Sequence, residues 1–121
     1  MRVVTRHRPL EPDVFHAQAA EALTVLAGQP GFVAGEVARS PDEVSVWLFT
    51  TRWQDVGSLR RGMGGYAAKV ALAAVMASAA DEPSVFEVLV EADANGVRSS
   101  GSDVAAGPLD TRGAENGQPS R

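Results

Sequence analysis

The chain has 121 residues, 45% of them hydrophobic, with 15 acids against 11 bases and a net charge of −4. That length bounds it to one domain with chain enough for a core, and the apolar share excludes a wholly disordered protein. The acidic balance argues against a nucleic-acid partner, which calls for a basic footprint, and no run approaches the roughly eighteen apolar residues of a membrane span.

There is no cysteine, so disulfides, thiol catalysis, iron–sulfur clusters and thiolate zinc sites are excluded. Met1 to Arg8 has no apolar stretch long enough for a signal peptide, and a cytoplasmic location is expected. Ten of the eleven bases are Arg, a bias that points to a GC-rich genome.

In chain order, Val3, Val4 and Thr5 predict a strand over Arg2–Arg8 that stops at Pro9. Pro12 and Asp13 suit the first turn of a helix. Phe15, Ala19, Ala22, Leu23 and Leu26 then form one apolar stripe before Gly28 and the turn Gln29-Pro30-Gly31. Phe32–Ser40 reads as a strand weakened at Gly35, Pro41-Asp42-Glu43 as a hairpin turn, and Val44–Trp53 as the strongest strand. In that strand Val44, Val46 and Leu48 point one way and Trp47, Phe49 and Trp53 the other. Both faces being apolar, one needs helices and the other a second cover, most simply another copy of the sheet, which predicts a homodimer.

Asp55 opens a short helix carrying Leu59, interrupted by Gly62-Met63-Gly64-Gly65, and Tyr66–Ala80 continues as an Ala-rich helix with Val70, Leu72, Val75 and Met76. Val85–Glu91 alternates as a last strand. The order βαββαβ predicts an α+β, ferredoxin-like fold, an antiparallel four-stranded sheet with helices on one face. The domain is expected over residues 1–92. From 93 to 121 the chain is poor in large apolar residues and lacks a period, so a disordered tail is expected.

Four stretches carry a resemblance: Met1-Arg2-Val3-Val4-Thr5-Arg6, Gln29-Pro30-Gly31-Phe32, Trp47 through Asp55, and Asp81-Glu82-Pro83-Ser84-Val85-Phe86-Glu87. Over about residues 1–92 the chain resembles the antibiotic biosynthesis monooxygenase family, small ferredoxin-like chains that pair as dimeric α+β barrels. The resemblance implies a homodimer through the open sheet face and a small aromatic ligand. It also implies a cofactor-independent monooxygenase that oxidises an electron-rich phenol or anthrone with O₂, without metal or flavin. A non-catalytic dimeric module that binds a small molecule is the alternative. Quinone-forming members hold an Asn and a Tyr where this chain has Phe49 and Leu59. In the haem-degrading branch an axial His and a Trp would fall on Leu72 and Gly62, so haem degradation is not expected.

His7 stands where that branch has a strand-one Asn. It reads either as a general base, with an unperturbed pKa of about 6.5, or as a strand-end His that points at solvent or at a hydrogen-bonded partner. Trp53 reads either as an N–H donor to substrate oxygen or as a cap on the sheet. Phe49, Met63 and Tyr66 are the candidate substrate contacts. His16, beside the apolar stripe, reads as helix surface, and two distant histidines predict no metal. Gly62-Met63-Gly64-Gly65 lacks the Gly-Lys-Ser/Thr of a phosphate loop.

Overall fold

The computed structural model describes residues 1–102. Met1–Glu87 form one unit, and a second begins at Val88. The first contains β1 (Arg2–His7), α1 (Pro12–Ala27), β2 (Phe32–Arg39), β3 (Trp47–Trp53), α2 (Val56–Gly64), α3 (Tyr66–Met76) and β4 (Val85–Phe86). Its strands pair antiparallel in the order β2-β3-β1-β4, the ferredoxin-like topology expected from the element order.

The register assigns every side chain to a face. Val3, Thr5 and His7 of β1 lie opposite Thr51, Phe49 and Trp47 of β3, and all six are buried. Against them pack Phe15, Ala19, Ala22 and Leu26 of α1, Leu59 of α2, and Ala68, Leu72 and Val75 of α3. These α1 positions recur at helical spacing, so burial of one stripe holds the helix on the sheet. Burying a Phe or Leu side chain contributes about 1.5–3 kcal/mol each. On α3 the stripe differs from expectation. Ala68 takes the inward place and Val70 is 57% exposed, because the buried positions of α3 run 68, 72, 75 at helical spacing and residue 70 falls off that face.

β3 begins later than the alternation suggested. Ser40 Oγ accepts from the backbone N–H groups of Asp42 and Glu43 at 3.2 and 3.0 Å, and Ser40 N donates to Val46 O at 2.9 Å. The side chain thus builds a turn that takes Val44 and Val46 out of the sheet, and Val44 is 62% exposed. Of the three residues expected on the second face of this strand only Leu48 is there, alongside Thr50 and Arg52. Their neighbours across the open face are Arg2, Val4 and Arg6 on β1 and Ala34, Glu36 and Ala38 on β2. That face is mixed in charge, so the two-faced apolar strand no longer argues for a second copy.

β4 is short for a topological reason. Phe86 pairs with Arg2, the first residue of β1, so the chain beyond it runs past the end of its only neighbour. The alternation through Glu91 is realised elsewhere. In the second unit β5 (Val90–Asp93) pairs with β6 (Gly96–Ser99) in a hairpin, with Gly96 at φ +139°. Asn95-Gly96 between apolar residues is the turn signal for it. The expected division at residues 92 and 93 falls inside this hairpin, and most of the expected tail lies outside the described residues. No helix among the described residues is long and apolar enough to cross a membrane.

Candidate functional site

The register separates the two residues singled out for chemistry. His7 lies opposite Trp47 at one end of β3, while Trp53 ends the other, its backbone N–H donating to Met1 O at 2.8 Å. Six residues of strand put them roughly 20 Å apart. Trp53 is 1% exposed, and its indole N–H donates to Thr51 Oγ1 at 3.0 Å. Phe32 meets its ring edge-on at 5.3 Å. A Cβ at Gly62 would run into the six-membered ring of Trp53, so the helix approaches the sheet here only because residue 62 has no side chain. Phe49 is buried in the core. Met63 is half-buried against the same core, and Tyr66 is 84% exposed. His7, Trp53 and Tyr66 therefore do not surround one cavity.

The buried titratable side chain of the interior, His7, stands at the other end of the sheet. His7 is 1% exposed. Its Nε2 lies 2.7 Å from Thr5 Oγ1, and its Nδ1 lies 3.0 Å from Ser78 Oγ. Thr5 can donate onward to Phe49 O (3.3 Å) and Ser78 to Val75 O (3.4 Å). Either neutral tautomer is satisfied, since each ring nitrogen faces a hydroxyl that both donates and accepts. The imidazolium is satisfied too, with both N–H groups donating and each hydroxyl passing its own proton to a carbonyl. Burial pulls the His7 pKa below its ordinary value, and a hydrogen bond with the Val75 backbone works the other way. The ring is thus held neutral at neutral pH.

No pattern in the sequence marks Ser78 as a partner for His7. The Ala-rich run suggested helix through Ala80, but α3 ends at Met76. Residues 79 and 80 then lie along β1, with Ala79 bridged to His7 and Ala80 N donating to Arg6 O at 2.7 Å. This bend brings Ser78 to the imidazole. In sequence the only signal is a lone hydroxyl within Ala77-Ser78-Ala79-Ala80. An aromatic group completes this end: His7 and Phe15 stand 4.8 Å apart, Phe15 and Trp47 5.6 Å, and the Arg39 guanidinium lies 5.2 Å over Trp47. The Trp47 indole N–H is buried with no hydrogen-bond partner among the described residues. His16 is exposed, as expected, with its ring edge toward Trp47.

Beside this network opens a cleft of about 600 Å³ between the β1–α1 loop, α1 and the end of α3. Leu10, Val14, Phe15, Ala74 and Ala77 supply apolar wall, and Arg8, Glu11, Gln18 and Ser78 the polar points. Its size and mixture suit a small, mostly apolar ligand. Among the described residues no group of His, Asp or Glu is placed to hold a metal ion.

The fold and this cleft together define a class: a small ferredoxin-like α+β protein with a ligand-sized hollow at one end of its sheet. The antibiotic biosynthesis monooxygenase family matches residues 5–65, and the chain belongs to it. Among solved structures it is similar to SnoaB, a cofactor-independent oxygenase from Streptomyces nogalater. Identity is 24% and the TM-score 0.60, over 65% of this chain and 82% of that one. Rv0793 from Mycobacterium tuberculosis is 19% identical, with a TM-score of 0.60 over 76% and 97% of the two chains. A conserved protein from Methanosarcina mazei Go1 is 16% identical, with a TM-score of 0.57 over 69% and 84%. No curated protein sequence matches the chain. Likeness at these identities establishes the fold, and chemistry has to be argued from residues.

Proposed function

We propose that the chain binds a small electron-rich aromatic in the cleft and oxidises it with O₂ without a cofactor, as a monooxygenase of phenols or anthrones. The observation that carries this reading is the hydrogen-bonded chain Ser78–His7–Thr5, one end of which lines the cleft. A substrate proton passes to Ser78 Oγ as the Ser78 hydroxyl proton moves to His7 Nδ1. The imidazolium so formed keeps its Nε2–H on Thr5, which donates to Phe49 O. Burial keeps the base unprotonated beforehand, and the surrounding acceptors offset part of the cost of charging it. The resulting carbanion reduces O₂: an activated CH₂ becomes C=O, and the second oxygen atom leaves as water. His7 is the base in this reading, Ser78 its contact with substrate, and Phe15 the aromatic wall. Trp53, its N–H spent on Thr51, supports the sheet.

A non-catalytic binding module is the second reading. It is favoured by the same burial, because His7 reaches the cleft only through Ser78. Oxygen uptake with product spectra over anthrones, naphthols and hydroquinones separates the two. Quinone formation abolished in Ser78→Ala and His7→Gln but retained in Trp53→Phe supports the oxygenase. Tight binding with no turnover by the wild type supports the module.

We also propose, from the family's habit of pairing rather than from an apolar sheet face, a cytoplasmic homodimer joined through the open face, where Val4, Leu48 and Phe86 lie among Arg2, Arg6, Glu36 and Arg52. Sedimentation giving 12.6 kDa at all concentrations would refute that pairing.

A further inference from the structure

A smaller pocket of about 170 Å³ adjoins the cleft, lined by Arg6, His7, Arg8, Ser78 and Ala80. Arg8 and Ser78 line both hollows. The charges are distributed unevenly between them. Glu11 is among the residues that line the large cleft, whereas no acidic residue lines the small pocket, whose residues include two arginines and a serine. Both arginines are tied to acids on their solvent side, Arg6 to Glu82 at 2.7 Å and Arg8 to Glu43 at 3.4 Å, and each side chain is more than half exposed. Exposed pairs of this kind contribute little and exchange readily. Arg8, with the longer contact, can leave Glu43 for a ligand at small cost.

We propose that the small pocket is a subsite for a carboxylate carried by the aromatic ligand. Arg8 makes the charge-assisted contact and Ser78 marks the junction between the acid and the ring. A guanidinium fork matches the planar carboxylate. Glu11 repels the reversed orientation, in which the acid would enter the large cleft. The ligand is then an aromatic acid that spans both hollows, and its ring is presented to Ser78 in one direction. This assignment rests on the cleft being the aromatic site.

The test compares 2-naphthol with 6-hydroxy-2-naphthoate by titration calorimetry on the full chain, at low and high salt, and follows the Ser78 and Ala80 amide resonances. At low salt the acid is expected to bind about tenfold more tightly than the naphthol, with the margin shrinking as salt screens the exposed contact. Arg8→Gln removes the preference, Glu43→Gln enlarges it by freeing Arg8, and Arg61→Gln, a charge change on α2, leaves it intact. Equal binding of the two probes, or a preference that survives Arg8→Gln, overturns the subsite and leaves the oxygenase reading standing. Failure of both probes to bind overturns the subsite and the cleft together. An acid bound with the expected preference but never oxidised supports the subsite and counts against the oxygenase.

Discussion

Replacing Gly62 by Ala tests whether Trp53 is packing or a ligand contact. Two opposed effects can be weighed. In a helix interior Ala is favoured over Gly by about 1 kcal/mol. Against that, the new Cβ would enter the space of the Trp53 ring, and overpacking a filled core costs roughly 1–3 kcal/mol. The ring has little freedom to yield, since it is 1% exposed, held by Thr51 and flanked edge-on by Phe32. The net expectation is destabilisation of about 1 kcal/mol, lowering Tm by roughly 4–8 °C for a domain of this size. Gly64 on the same helix has nothing within 4 Å of its Cβ position. Gly64→Ala, at the last residue of α2, meets no clash and carries only part of that interior gain, so it melts at or slightly above wild type. Melting curves followed by circular dichroism and tryptophan fluorescence give both values side by side. If Gly62→Ala is as stable as Gly64→Ala, the ring moves aside easily. Space under α2 can then open, and Trp53 regains its claim as a substrate contact.

Three further outcomes follow from the same geometry. Because burial lowers the His7 pKa, the unfolded chain takes up a proton first as pH falls. The stability that His7 contributes is therefore complete above about 6.5 and is lost as pH drops through the folded value. Urea titrations between pH 8 and 5 should show wild-type stability falling more steeply than that of His7→Gln, and parallel slopes would refute the buried neutral imidazole. Ser78→Ala keeps the fold and cuts oxidation about 100-fold or more, the scale of a lost proton relay; an unchanged rate in stopped assays would take Ser78 out of the mechanism. Asp55 caps α2 by accepting from Ser58 N at 2.7 Å, a bond that holds its carboxyl below the usual carboxylate range. Asp55→Ala should lower Tm at neutral pH, with the gap to wild type closing as pH falls through the folded pKa of Asp55, and a constant gap would exclude the cap.

The sequence by itself determined the order of elements in the first unit, the inward stripe of α1 from Phe15 to Leu26, and the family. These follow from periods and turn residues that act within a few positions of each other, so they survive without knowledge of distant contacts. The candidate site was legible only in part. His7 was readable as a base from its type and strand position, and Thr5 precedes it by two residues on the same strand face, but its other partner, Ser78, lies 71 residues away, and no local pattern encodes that meeting. It depends on where α3 stops and on the pairing of Ala79 and Ala80 with β1. Tertiary structure likewise decided against one pocket shared by His7 and Trp53, because the register sets His7 opposite Trp47, six residues along β3 from Trp53. It shortened β4 as well: a strand lasts only as long as its neighbour, and β1 begins at Arg2. Val44 and Val46 lie outside the strand because Ser40 Oγ, accepting from Asp42 N and Glu43 N, holds the connection in a turn.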